Sequence, residues 1–200
     1  MKILNLYSGL GGNRKLWKNA EITAVESSAE IAAVYKDLYP GDNIIIGDAH
    51  EYLLNYYQKF DFIWASPPCQ THSSFRQNIC VRYRGTQPVY PDMKLWQEIV
   101  FLQANCDTKW VVENVKPYYP SLIQPTANLE RHCFWSNFAI PDKKFIGGVK
   151  IRKAQIPDLQ KYHDIDLSKY KLPNKRQLLR NCVRYDLGDY IFGAAQYEKK

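Results

Sequence analysis

In a chain of 200 residues, the side chains best suited to covalent chemistry sit in one stretch, "DFIWASPPCQTHSSF" at 61–75. An apolar run meets Pro67 and Pro68, and Cys69 follows where the chain must turn. A cysteine used as a small hydrophobe belongs inside such a run, so its place beyond the end leaves two readings, packing or nucleophile. Each proline fixes φ near −65° and lacks an amide hydrogen, which holds the next side chain in one direction at little entropic cost. A thiolate so held can add to carbon 6 of a cytosine ring and turn it into an enamine, whose carbon 5 can then accept a methyl group. An unperturbed thiol near pKa 8.5 is only about 3% ionised at pH 7, and the amide-rich, basic mouth of a sheet is expected to raise that share. The enamine also needs ring nitrogen 3 protonated or strongly hydrogen-bonded. "KWVVENV" provides the carboxylic acid, Glu113, at the end of a neighbouring strand.

Positioning these two groups requires a sheet, and the chain is patterned for one. Short apolar or β-branched runs alternate with amphipathic segments, which predicts an α/β fold with a mainly parallel sheet and helices on both faces. Strands are expected at 2–7, 22–27, 43–48, 60–66, 109–115 and 132–138. Helices are expected at 11–20, 28–39, 49–60 and 92–106, the last started by Pro91 and Asp92 and carrying Leu95, Ile99 and Leu102 at helical spacing. From 139 to 176 the pattern weakens into a basic, proline-bearing stretch, read as a small appended lobe or an irregular excursion. Residues 176–196 read as one further helix, with Leu178, Leu179, Val183 and Leu187 on its apolar stripe.

Ligands of open α/β sheets bind beyond the carboxyl ends of the strands. The first strand ends in "SGLGG", Ser8 to Gly12, either a tight turn or a loop whose backbone approaches a ligand closely. The second ends in Glu26, which can accept from both hydroxyls of a ribose. The third ends in Asp48, placed to reach an adenine edge or to cap the following helix. Together the three endings suggest an adenosine-containing cofactor, a dinucleotide or S-adenosylmethionine.

"LNLYSGLGG", Glu26, "SPPCQ" and "ENV", in this order, resemble the cytosine-5 DNA methyltransferases over roughly residues 3–115. "PPCQ" followed by "ENV" is far more specific than the glycine loop. The resemblance implies a Rossmann-like, S-adenosylmethionine-dependent methyltransferase fold with a very small appended recognition segment, and methyl transfer to carbon 5 of cytosine in DNA. Cys69 would be the nucleophile, Glu113 the group at nitrogen 3, and Arg131 a grip on the target. Tyr7, Ser8, Gly9, Gly11, Gly12, Glu26, Asp48 and Pro67 would surround the cofactor, joined by Asn181 of "RNCV" folding back beside the glycine loop. Pro68, Gln70 and Ser73 match the pattern that opens a mobile loop over a base extruded from its stack. Arg76, Arg82 and Arg84 follow in that loop and are placed for the target strand. One domain is expected over 1–200, with 139–176 a reduced target-recognition insert and 177–200 returning to the cofactor pocket.

Some features depart from the family. Asn5 stands where the first motif usually has aspartate. His132 takes the place of a second arginine, which would make charge there pH dependent and lower activity. The recognition insert is short, and its Lys143, Lys144, Lys150, Arg152 and Lys153 either hold phosphates, which fixes position without reading sequence, or form an ordinary solvated surface. Relaxed sequence specificity follows, as in compact phage-type or orphan enzymes.

Composition sets the outer limits. An apolar share of 46% with only 10 glycines excludes a disordered or low-complexity chain, and a net charge of +7 favours a polyanionic partner. Five scattered cysteines without a CxxC pair suggest free thiols and no metal site. No apolar stretch reaches the roughly 20 residues that span a bilayer and the N-terminus lacks a signal peptide's apolar segment, so a cytoplasmic protein is expected. Three alternatives stay open: a methyltransferase-fold DNA-binding or regulatory protein with weak or no turnover, a cytosine-5 methyltransferase of RNA or nucleotides, and a nicotinamide-dependent dehydrogenase.

Overall fold

The computed structural model describes residues 1–151 and 153–197. Seven strands form one sheet in the order β3-β2-β1-β4-β5-β7-β6. They are β1 (Lys2–Leu6), β2 (Glu21–Glu26), β3 (Asn43–Ile46), β4 (Phe62–Ala65), β5 (Lys109–Val115), β6 (Ala127–Leu129) and β7 (His132–Ser136). The first five run parallel, and β7 lies antiparallel between β5 and β6. The sheet is Rossmann-like, and its strand order reverses between β1 and β4. A crevice opens at such a point beyond the strand ends.

Alternation along the strands sorts side chains to the two faces. On β1, Leu4 and Leu6 pack with Ile63, Ala65 and Val112 against α2 (Ala49–Tyr56) and α3 (Lys94–Asn105). Ile3 goes to the opposite face with Phe62, Trp64 and Val111, under α6 (Tyr185–Gln196). Each such fully buried side chain contributes about 1.5–3 kcal/mol, so the strand ends are held by the most stable part of the molecule. A third cluster joins Val34 of α1 (Ala29–Leu38) to Leu159 of α4 (Ile156–His163) and Leu179 of α5 (Lys175–Asn181), with Leu10, Ile165 and Leu167 between them. The weakly patterned 139–176 stretch therefore contributes core contacts to α1 as well as surface.

Two expected helices are corrected. Residues 11–20 form successive tight turns, with Arg14 N–H bonded to Gly11 O at 3.2 Å and Trp17 N–H to Arg14 O at 2.9 Å. Gly11 sits at φ 70, in the left-handed region, where no right-handed helix begins. Buried anchors fix the segment instead. Asn13 exchanges amide hydrogen bonds with Asn5, and Trp17 reaches the carbonyl of Gly188 and the rings of Phe62, Trp64 and Phe192. Asn5, the departure from aspartate, thus has a neutral partner matched to it.

The expected helix over 176–196 is two helices, α5 and α6, because Cys182 and Arg184 adopt extended backbone, with ψ of 135 and 138. Residues 182–183 lie directly behind the glycine loop, where a Cβ on Gly12 would meet Val183 O at 2.5 Å. β6, with three residues, is too short to have left a period in the sequence. No helix among the described residues is long and apolar enough to cross a membrane.

Candidate active site

Parallel pairing sets Ala65 beside Val112, so the turn after β4 and the end of β5 emerge side by side. Cys69, partly buried, and Glu113, 6% exposed, line the same cavity of about 610 Å3. The second residue of "ENV" makes the connection rigid: Asn114 Nδ2 donates to Pro67 O at 2.9 Å, and its Oδ1 accepts from Val115 N–H at 2.9 Å. The carbonyl of Cys69 accepts from the amides of His72 and Ser73 at 3.1 and 3.0 Å, closing the turn after Cys69. The motif pattern alone gives Asn114 no such role; His72, which the sequence offers as a metal partner for Cys69 but without a second ligand pair, has its buried ring bonded to Tyr119 Oη at 2.6 Å. Asn114→Ala is expected to lower stability by about 1–3 kcal/mol, the cost of leaving a buried carbonyl without its donor, read as an earlier denaturant midpoint.

Glu113 is held from two sides. His132 Nδ1 lies 2.5 Å from its Oε1, both residues being buried. Ser66 bonds the carboxylate as well, while its own Oγ accepts from Trp64 Nε1 at 2.8 Å. The contact with His132 follows from register: β5 and β7 pair Glu113 with Phe134 and Val115 with His132, which puts His132 diagonally across on the same face. Burial alone would raise the Glu113 carboxyl, but His132, Ser66 and Arg131 together bring it below its ordinary value. Arg131 lines the cavity and donates to Arg180 O at 2.9 Å, which ties β7 to the end of α5.

The expectation for the thiol's ionisation is corrected. Burial first, and then the negative charge of Glu113, push Cys69 up to about 11, against the smaller opposing pull of Arg131 and Arg180. The basic mouth does not compensate. Because the thiolate is the reactive form, alkylation of Cys69 by iodoacetamide is expected to be slow at pH 7 and to rise about tenfold per pH unit until near pH 11. Mass spectrometry of the Cys69 peptide reads this out.

At the other end of the cavity, Tyr7, Ser8, Gly9, Gly12, Glu26, Asp48, Pro67 and Asn181 all line the wall. Ser8 Oγ is buried with no hydrogen-bond partner. A Cβ added to Gly9 would meet nothing closer than Tyr7 O at 4.0 Å, so this glycine opens space. Glu26 Oε2 accepts from Gly9 N–H at 3.0 Å and keeps a lone pair for a ligand, while Oε1 accepts from Ser28 N–H at 2.9 Å and Ser27 Oγ at 3.3 Å. Asp48 does cap α2, accepting from His50 N–H at 2.7 Å, and also pairs with Lys94 Nζ at 2.9 Å. Tyr7 adopts φ 55 and donates to buried Glu98, a strained backbone of the kind that clusters at ligand sites. Gly11 stands apart. It does not line the cavity, and a Cβ there would meet the rings of Tyr39 and Tyr35 at 2.5 and 2.7 Å.

A second cavity, of about 1040 Å3, shares Cys69, Gln70, Arg131, His132 and Asn181 with the first and extends past Ser73 and Arg76. Pro68 lines only the first. Arg82 and Arg84 line neither cavity and lie on an exposed loop. Lys143 rests over the Tyr190 ring of α6 at 4.4 Å, and Lys144, Lys150 and Lys153 likewise line neither cavity. Arg152 lies outside the described residues. Among the described residues, no three His, Cys, Asp or Glu side chains group as metal ligands.

Residues 1–120 match the family model described as C-5 cytosine-specific DNA methylase. Among solved structures, the chain is similar to a triple mutant of Spodoptera frugiperda DNMT2, at 22% identity and a TM-score of 0.46 over 73% of this chain and 53% of that one. It is similar to the Entamoeba histolytica methyltransferase EhMeth, at 14% identity and a TM-score of 0.41, over 61% and 40% of the two chains. It is also similar to the plantazolicin methyltransferase BamL, solved with SAH, at 14% identity and a TM-score of 0.37, over 57% and 38%. The chain thus spans about half the length of the DNMT2 structure and less of the other two. A comparison with curated proteins gave no match.

Proposed function

The chain belongs to the C-5 cytosine-specific DNA methylase family; on that premise we propose that it is a methyltransferase, which transfers a methyl group from S-adenosylmethionine to carbon 5 of cytosine in DNA through a covalent adduct on Cys69. The observation that carries this reading is the sharing of one cavity by Cys69, Glu113 and the ends of β1, β2 and β3.

The residues present fit that cofactor. The partnerless Ser8 hydroxyl, the space at Gly9 and the carboxylates of Glu26 and Asp48 offer donors and acceptors suited to an amino acid joined to an adenosine. The sulfonium supplies an electrophilic methyl group. Cys69 Sγ adds to carbon 6 of the base, and the electron pair of the 5,6 double bond moves to carbon 5. Glu113, an anion in the free protein because its carboxyl is held below the ordinary value, takes the proton that Cys69 loses and holds it at nitrogen 3, so the ring carries no full negative charge, a role for a positioned proton-transfer group worth about 10²–10⁴-fold. Carbon 5 would then take the methyl group as the cofactor's sulfonium became a thioether, the carbon 5 proton would leave to water at the cavity mouth, and the double bond would re-form as Sγ departed and recovered the proton held at nitrogen 3. Ser66 and His132 orient Glu113, and Asn114 orients the turn bearing Cys69.

The test is incubation with cytosine-containing DNA and S-adenosylmethionine, followed by nucleoside mass spectrometry. 5-Methyldeoxycytidine is the expected product, and its absence with folded protein overturns the reading. A second reading, a DNA-binding protein of this fold with little turnover, draws support from the thiol being pushed up to about 11. Tight DNA binding without product would favour it.

A further inference from the structure

Two observations outside the catalytic corner bear on the form of nucleic acid the protein takes. The first is the chain after Cys69. Residues Arg76–Val81 wind loosely, with backbone bonds spanning five residues, and lead into an excursion that returns to its starting point. Asp92 N–H donates to Thr71 Oγ1 at 2.9 Å, and Arg76 donates to Gln87 O at 3.4 Å, so both ends are tied beside the nucleophile's turn. Within the loop stands "RYRGTQPVY". Tyr83 and Tyr90 are 84% and 94% exposed, and Arg82 and Arg84 flank the first. Core packing gives no reason for two tyrosines so placed.

The second observation is the 1040 Å3 cavity, which runs from Cys69 past Arg76 to Cys80, whose carbonyl accepts from Thr86 N–H of this loop at 2.9 Å. Its wall combines the cations Arg76, Lys116 and Arg180 with the rings of Phe75 and Tyr119. Its one acid is Glu130, which pairs with Arg184 at 3.5 Å. A cationic groove interleaved with aromatic faces is the build of a single-strand binding site, where bases stack on rings and phosphates lie along cations. Among the described residues, the 139–176 stretch directs Leu159, Ile165 and Leu167 into the core with α1, and its Lys144, Lys150 and Lys153 line neither cavity.

We propose that the second cavity and the loop over residues 82–90 hold an unpaired, cytosine-containing strand, with the bases flanking the target stacked on Tyr83 and Tyr90. The inference rests on cytosine being the target, as proposed above, and it deepens that reading by naming the substrate as a single strand or an already open position. No cost of breaking a base pair is then asked of so small a protein.

Fluorescence anisotropy of the full chain with fluorescein-labelled 16-mers, at fixed salt and without cofactor, tests this independently of methyl transfer. Single-stranded DNA should bind at least about tenfold more tightly than the same sequence as a duplex, and Tyr83→Ala with Tyr90→Ala should weaken single-strand binding about a hundredfold, roughly tenfold per lost stack. Tyr83→Phe with Tyr90→Phe keeps the rings and should retain the affinity, which separates stacking from misfolding. Single-stranded RNA bound as tightly as DNA also supports the proposal, since stacking is indifferent to the sugar. Equal or tighter duplex binding, or an alanine pair that binds like the native chain, overturns it. Methylation of duplex DNA with no single-strand preference would leave the proposed activity standing and remove this inference alone.

Discussion

Cys69→Ser is expected to abolish methyl transfer, lowering turnover by at least about 10⁴-fold, because a covalent route is lost and not merely a contact. Serine keeps the size of the side chain and the hydrogen bonds that the Cys69 carbonyl accepts from His72 and Ser73, so the fold should be unaffected. Carbon 5 of cytosine is too weak a nucleophile without addition at carbon 6. A hydroxyl at residue 69 faces the same burial and the same Glu113 charge that push the thiol up to about 11, and it is far harder to ionise. Nucleoside mass spectrometry after prolonged incubation reads the loss, while an unchanged thermal transition shows that the protein is intact. Turnover within tenfold of the native chain would mean that Cys69 is not the nucleophile.

Glu113→Gln is expected to give the second largest loss, about 10²–10⁴-fold in turnover, together with an opposite change elsewhere. The amide cannot take up the thiol's proton and hold it at nitrogen 3, so negative charge accumulates on the ring as the sulfur adds. The same substitution removes the negative charge that, after burial, does most to raise Cys69. The thiol should then ionise at lower pH and alkylate faster at pH 8 than in the native chain. Slower transfer with faster alkylation distinguishes loss of an acid from simple collapse of the site, which would slow both or expose every cysteine alike. Equal alkylation rates in the two proteins would contradict the electrostatic coupling of Glu113 to the sulfur.

The two carboxyl-side anchors of the site were legible for a physical reason. Parallel central strands are buried on both faces and read as continuous apolar runs, so the ends of "FDFIWAS" and "KWVVENV" could be located and Cys69 and Glu113 set on neighbouring strands. What the sequence concealed depends on approach between distant segments. The turns over 11–20 and the break at 182–184 have one cause, the packing of residues 182–183 and Gly188 against the glycine loop, where a Cβ on Gly188 would meet Asn13 O at 2.1 Å. Gly11 belongs to the glycine-rich motif yet serves the rings of Tyr35 and Tyr39; the spacing alone could not separate it from Gly9. The ionisation of Cys69 was misjudged because local composition counts Arg131 and Arg180 but not the loss of water or the facing carboxylate. His132 was legible as a departure from the family's arginine. That it would meet Glu113 at 2.5 Å became visible only with the β5–β7 register.

Trapping the adduct tests the central claim most directly. With 5-fluorocytosine in the DNA, fluorine cannot leave carbon 5 as a cation after methylation, so the sulfur stays bonded to carbon 6. The account predicts a denaturation-resistant protein–DNA complex that forms only with S-adenosylmethionine, carries one added methyl group and maps to Cys69. Methylation of ordinary cytosine by the same preparation without any such complex, or a complex that persists in Cys69→Ser, would contradict it.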